Sequence, residues 1–435
     1  MERNNYPLFT VIIPQKNRAE YIYHTLRTCM IQDYPNFEVI VSDDCSTDNS
    51  VEVVRSLAEK DSRIKLFAHN EHLGMRDNFE FALNQVRPGY VIALGGDDGL
   101  VPNSIWRMYQ ILKQTGKELL TWKPADFAYP ESDVDGHNVF RIKRYKRTEV
   151  KILSSASFLK KISKSFIYLV DECPMFYIKG VASTELVNRV KERTLDHCFY
   201  YCPTPDGFSG VVLAGEVDDY AFTNEPLSIG GTTVKSQGMN YRRTDKASRE
   251  EAQQFFNDSI RRTMHSQLAS QPYSPLIPLM TADYLLTAGD LPGWPGKCYE
   301  VSFELMIKKT FQYIENSYFE DDVLHRELLI LRNIAEQHGL LPLYNELYRK
   351  ARRKATKDKT VYGSLISNSI RFDGKEIGIT NIYDASLAVN FLYNVSTGFS
   401  LKTLWKVFKN SVKNVVVSRQ YKMERLPELD VNKVN

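Results

Sequence analysis

Cysteine is sparse in this 435-residue chain and is nowhere arranged as a framework. The six copies stand at 29, 45, 173, 198, 202 and 298 without one CxxC, which argues against a disulfide scaffold. His197-Cys198 with Cys202 offers half of a zinc site, and no second cluster completes it. An excess of either charge is also lacking. Lys and Arg total 56 against 53 Asp and Glu, a formal +3, so no global case for nucleic-acid binding arises. No apolar run reaches the roughly 20 residues that cross a bilayer. No secretory leader is visible, and a cytoplasmic location is expected. The turn after the first apolar strand reads Pro14-Gln15-Lys16-Asn17 and lacks G-x-G-x-x-G. That excludes the usual dinucleotide-binding dehydrogenase and disfavours a nucleotidyltransferase with a glycine-rich loop.

What the chain has is acid at strand ends. Tyr90-Val91-Ile92-Ala93-Leu94-Gly95-Gly96-Asp97-Asp98-Gly99 reads as a buried parallel strand closed by glycines. In open α/β sheets, ligands bind beyond the carboxyl ends of such strands. Two adjacent carboxylates repel unless a positive group lies near, and a hard divalent cation carrying phosphate oxygens answers that need. The alternative is that both acids cap the next helix.

A second acidic strand end favours the ligand reading. Phe9-Thr10-Val11-Ile12-Ile13-Pro14 is followed by a helical stretch through Tyr21, Ile22, Leu26 and Met30. A further strand, Phe37 to Val41, then ends in Ser42-Asp43-Asp44-Cys45-Ser46-Thr47-Asp48. Strand–helix–strand is the unit of a parallel sheet. Asp43, Asp44, Asp97 and Asp98 should therefore share one edge. Carboxylates there can accept hydrogen bonds from a base and a ribose, which suggests a nucleotide-diphosphate pocket with one metal.

The run "FTVIIPQKNRAEYIYHTLRTCMIQDYPNFEVIVSDDCSTDNS", then "NEHLGMRDN" and "GDDG", resembles glycosyltransferase family 2, with its GT-A fold. The likeness covers roughly the first half of the chain. It implies inverting transfer of a sugar from a nucleotide-diphosphate donor, UDP being the commonest carrier. It also implies a Mn²⁺ or Mg²⁺ ion and an acceptor that is a glycan or lipid-linked saccharide of the cell surface. By the resemblance, Pro14 opens the loop over the nucleotide and Asp44 binds the base. Asp97 and Asp98 are the metal motif, with Asp98 the direct ligand. Two positions depart from the family: Cys45 replaces its usual Gly, and Lys16 its usual Tyr or Phe. Neither removes a charged ligand.

The resemblance also assigns roles further along. Asn70 to Asn78 borders the nucleotide. Arg76 is a candidate for a phosphate or for an ion pair with Glu80 one helical turn on. Asn78 is a candidate cap that also touches ligand. Asp206, after Pro205 and before the apolar stretch Phe208 to Ala214, resembles the family's general base at a helix N-terminus. A helix N-terminus favours the ionised carboxylate, so partial burial or a nearby acid must restore its proton affinity. The alternative is a plain cap, and Glu172, Asp196, Asp218 and Asp219 are weaker candidates for the base. Asn224 to Gly238, with Gly230-Gly231, Lys235 and Ser236, resembles a flexible loop closing over the diphosphate. Trp122, Tyr177 and Phe208 are candidates for stacking on the sugar or for the core.

The expected organisation is a catalytic α/β domain over 1–240, with a mixed, mostly parallel sheet, and a mainly helical domain over 241–435. Phe255, Phe256, Ile260 and Met264, and then Leu328, Leu329, Leu331 and Ile334, recur at helical spacing. Near 401–417, Leu401, Leu404, Trp405, Phe408, Val412 and Val415 form one face flanked by Lys402, Lys406, Lys409 and Lys413. Such a helix suits a peripheral membrane contact or packing on the domain. A non-catalytic nucleotide-sugar binding module is the other function class, set against the intact Asp97, Asp98 and Asp206.

Overall fold

The computed structural model describes residues 6–131, 139–143, 149–236, 263–354, 369–374, 378–394 and 423–426. Strands β1 (Phe9–Gln15) and β2 (Phe37–Asp43) are buried at every residue, as parallel strands covered on both faces must be. They pair in parallel with Gln15 opposite Asp43. Helix α1 (Ala19–Met30) makes the crossover, and α2 (Ser50–Ala58) leads to β3 (Ile64–Ala68). Helix α3 (Met75–Asn84) precedes β4 (Tyr90–Ala93), which pairs with β1 on its other side.

After the short β5 (Gly99–Leu100) come α4 (Ser104–Thr115), β6 (Leu119–Trp122), β7 (Ala125–Ala128), β8 (Val139–Lys143), β9 (Val150–Ser154) and α5 (Ser155–Ser165). Then follow β10 (Gly180–Ser183), α6 (Thr184–Arg193), α7 (Gly207–Gly215), β11 (Asp219–Thr223) and β12 (Ser228–Thr232). The main sheet has the order β3-β2-β1-β4-β10-β6-β11-β9. Only β10 and β9 run against the other strands of this sheet. The expected mixed, mostly parallel sheet is therefore present. Alternation along β1 splits the core: Phe9, Val11 and Ile13 pack with Leu26, Ile105 and Met108, and Ile12 packs with Phe79, Ala82 and Leu83.

The later residues are mainly helical, as expected: α8 (Ile277–Gly289), α9 (Phe303–Glu315), α10 (Asp321–Gln337) and α11 (Leu341–Lys350). Leu328, Leu331 and Ile334 do line a buried helical face. Helix α8 is apolar on nearly every side because it is covered on both. Tyr284, Leu285 and Ala288 join the core beneath the main sheet, whereas Leu279 and Ala282 join the helical core. Gly215 of α7 lies so close to Trp294 that a methyl group there would sit 1.9 Å from the indole.

Two later elements cross the expected division at 240. Strand β14 (Ser369–Asp373), following a short β13 (Arg352–Lys354), pairs with β8 in a second sheet of order β14-β8-β7-β12-β5. Helix α12 (Ile382–Asn394) packs on α1, β5 and β12, with the Arg27 guanidinium 3.8 Å from the Tyr383 ring centroid. Nothing in local sequence periodicity signals this return. The amphipathic stretch 401–417, and Phe255, Phe256 and Ile260, lie outside the described residues. Among the described residues, no helix is long and apolar enough to cross a membrane.

Candidate active site

The ends of β1 and β2 are tied together by their own acids. One Asp43 oxygen accepts from the Ser46 N–H at 2.9 Å and the other from the Gln15 amide. Burial raises the Asp43 pKa. Asp44 is 3% exposed. It accepts from the N–H groups of Leu73 at 2.6 Å and Gly74 at 3.2 Å, and His72 Nδ1 lies 2.8 Å away. Asp44 thus fixes the 72–74 turn beside the strand ends. Cys45 adopts φ +56°, a left-handed conformation that glycine takes without strain. That explains why the family resemblance puts glycine there.

Asp97 and Asp98 stand where β4 runs out. Helix α4 starts at Ser104 with Asn103 as its cap residue, so the two acids do not cap the next helix. Asp98 is 1% exposed, and its oxygens accept from the Gly95 N–H at 2.7 Å and the Gly231 N–H at 2.9 Å. The Tyr177 phenol donates to it as well. Burial, then the charge of Asp97, pushes the Asp98 carboxyl well above the usual carboxylate range. Asp97 is 7% exposed and accepts from the Thr233 hydroxyl at 3.2 Å. Asp97 is the more exposed of the two buried acids, and Asp98 braces the turn behind it.

Two like charges side by side fit a hard cation whose remaining ligands are phosphate oxygens and water, because Mg²⁺-type ions need only one or two protein carboxylates. They do not form an all-protein cage. Among the described residues no group of three His, Cys, Asp or Glu side chains is placed to hold a metal.

Asp206 caps α7, accepting from the Gly207 N–H at 2.7 Å on one oxygen and from the Tyr168 hydroxyl at 3.2 Å on the other. The residue is half-buried, with its carboxyl group enclosed. That enclosure raises its pKa, partly opposed by hydrogen bonds from Gly207, Tyr168 and Thr204. Capping and a raised proton affinity thus coexist in one residue. Tyr177 connects the two acidic regions. Its phenol is raised by burial and by the charges of Asp98, Asp97 and Asp206. Asp98 is hydrogen-bonded to this phenol, and the charges of Asp97 and Asp206 act on it from further off.

The family model for glycosyl transferase family 2 matches residues 10–163. Residues 10–163 are a glycosyl transferase family 2 domain. An uncharacterized glycosyltransferase of Haemophilus influenzae is 27% identical over 135 residues, 31% of this chain and 52% of that protein. The putative teichuronic acid biosynthesis glycosyltransferase TuaG of Bacillus subtilis is 34% identical over 92 residues, 21% of this chain and 36% of TuaG. The chain thus spans about half the length, or less, of these curated relatives. Among solved structures, S. aureus TarS 1–349 in complex with UDP-GlcNAc aligns with 79% of this chain and 92% of that one, at 15% identity and a TM-score of 0.44.

Within and beyond this family 2 domain, several expected site residues are placed differently. Arg76 is only 8% exposed, and its guanidinium is consumed by protein partners: the Tyr200 carbonyl at 2.6 Å, Asp77 at 2.5 Å and Asp196 at 3.0 Å. It does not pair with Glu80, which pairs with Lys191 at 2.8 Å. Asn78 is not a cap. The helix begins at Met75 after Gly74, and the Asn78 amide donates to the Ser42 carbonyl at 3.1 Å. Pro14 is buried inside β1, two residues past the last pair with β4, where its missing N–H costs no ladder bond. The loop opens only after Gln15.

The Gly230-Gly231 segment, expected as a flexible loop, is strand β12, and its Gly231 N–H serves Asp98. Lys235 reaches the Asn17 carbonyl at 2.9 Å, and Ser236 Oγ accepts from the Thr233 N–H at 2.9 Å. The 233–236 turn therefore lies against the β1–α1 connection, with Thr233 on Asp97. Trp122 is fully buried with its indole N–H on Ser228 at 2.7 Å, and Phe208 is core. Tyr177 alone of the three aromatics meets the acids. The sequence reading missed Thr233, Tyr168 and Tyr284, and no local motif marks them.

Proposed function

We propose that this chain transfers a sugar from a nucleotide-diphosphate donor, with UDP the first carrier to test, to a hydroxyl of a glycan or lipid-linked acceptor, inverting the anomeric centre. The observation that carries this reading is Tyr177, which donates to Asp98 and lies in the field of Asp206. The acid pair and an enclosed, proton-avid carboxylate then both act on one buried phenol.

Asp206 takes the acceptor hydroxyl proton as that oxygen attacks the anomeric carbon, and its raised pKa suits the task. Attack opposite the leaving diphosphate inverts the configuration. Asp44 and the 72–74 turn hold the nucleoside. Asp97, braced by Asp98 and Thr233, would hold Mn²⁺ or Mg²⁺, which supplies charge neutralisation for the diphosphate when bound. The name of TuaG, the putative teichuronic acid biosynthesis glycosyltransferase, supports a cell-surface polymer as the product. A lipid-linked acceptor would bring the protein to the cytoplasmic membrane face.

The test is turnover of a panel of UDP-, GDP- and dTDP-sugars with Mn²⁺, comparing wild type with Asp206→Asn. Donor binding without turnover by wild type, with or without candidate acceptors, would leave a binding module as the better reading.

A further inference from the structure

The Asp206 carboxyl lies beyond residues 10–163, and contacts to the helical region help to hold it. Tyr168 lies just beyond α5 and is 2% exposed, and its hydroxyl donates to Asp206 at 3.2 Å. Its backbone N–H donates to the buried Thr281 hydroxyl of α8 at 3.2 Å. Its ring meets Tyr284 of α8 edge-on, with centroids 5.3 Å apart at 75°. The Tyr284 hydroxyl in turn shares a 2.5 Å hydrogen bond with Thr204, two residues before Asp206. Gly207 completes the contact: a methyl group there would come within 2.1 Å of Tyr284 and 2.8 Å of Tyr168.

We propose that Tyr168, seated by Thr281 and Tyr284 of α8, is the positioning residue for Asp206, so that the helical region finishes the acceptor side of the site. This rests on the reading of Asp206 as general base. A carboxylate oxygen bound by a fixed phenol cannot rotate freely, and its other oxygen stays with the α7 N-terminus. Pre-set geometry of this kind is what a proton acceptor needs at the moment of attack. The groups facing Asp206 are Tyr168, Thr204, Tyr177, Cys173 and Tyr284. Of these, the Tyr168 and Thr204 hydroxyls stabilise the carboxylate by hydrogen bonding.

The test is a pH titration by infrared difference spectroscopy on the full chain, with Asp206→Asn subtracted to isolate the Asp206 carboxyl. In Tyr168→Phe the ring stays and the donor goes, so the titration midpoint should rise by about one pH unit. Thr204→Val should move it in the same direction and serves if Tyr168→Phe does not fold. A filled space without a hydrogen-bonding role would leave the midpoint where it is. An unmoved midpoint in a folded variant, with Asp206→Asn inactive on the nucleotide-sugar panel, overturns the positioning role alone. Wild-type turnover by Asp206→Asn overturns the base assignment and this proposal with it.

Discussion

Tyr177 donates its phenolic hydrogen to Asp98. The bond places an aromatic ring from the segment before β10 against the carboxyl ends of the parallel strands, and the same ring feels Asp206. Acids from chain segments some thirty residues and more away thereby act on one phenol.

Asp206→Asn should reduce transfer by about 10²-fold or more while donor binding is retained. The pH profile carries a sign. Burial raises the Asp206 pKa, so the acidic limb of kcat/KM should lie above the ordinary aspartate value, with activity rising as pH increases through it. For stability the sign is opposite. A carboxyl whose folded pKa exceeds its unfolded one costs stability as pH rises from the unfolded value through the folded one. Urea unfolding across that window should therefore show Asp206→Asn gaining on wild type as pH rises.

Asp97→Asn and Asp98→Asn should separate. Asp97 accepts one side-chain hydroxyl, so Asp97→Asn should fold normally and lose metal-dependent nucleotide binding. Asp98 accepts two backbone N–H groups, and an amide can satisfy only one of them. Asp98→Asn should thus also lose about 1–3 kcal/mol of stability. Equal melting points for the two variants would contradict the bracing role.

Cys45→Gly should raise stability by about 1 kcal/mol, because it relieves a left-handed residue at the end of β2. Chemical denaturation of the two proteins measures this. A loss of stability would mean that the Cys45 side chain contributes more than its backbone conformation costs.

Gly215→Ala should destabilise by about 1–3 kcal/mol, since the new methyl group meets the buried Trp294 ring. The Trp294 indole also donates to the Val212 carbonyl at 3.1 Å. Tryptophan fluorescence during unfolding should report that joint loosening. An unchanged midpoint would mean that α7 and the 291–296 turn move apart freely.

Much of this arrangement was legible beforehand, for physical reasons. Buried parallel strands such as β1 and β4 are mostly apolar, and acids at their ends mark where β2 and β4 stop, so the edge carrying Asp43, Asp44, Asp97 and Asp98 could be read from local sequence. The Pro205-Asp206 step before an apolar helix was readable in the same way. What stayed hidden was tertiary. Arg76 looked available because its partners, the Tyr200 carbonyl and Asp196, lie more than a hundred residues away. The Gly230-Gly231 pair looked like a loop because strand pairing with β5 and β7 leaves no periodic signal in two glycines. Tyr168 and Tyr284 looked like core tyrosines, and they are buried. Only their hydroxyl partners, Asp206 and Thr204, distinguish them.

A metal-dependent nucleotide-diphosphate site at Asp97 is tested by the melting point of wild type and Asp97→Asn with UDP, GDP, CDP or dTDP, each with and without Mn²⁺. A ligand that binds the folded state at a hundred times its Kd adds about 2.7 kcal/mol. One diphosphate should raise the melting point of wild type, only with Mn²⁺, and leave Asp97→Asn unmoved. No shift with any of them, or an equal shift in both proteins, would contradict it.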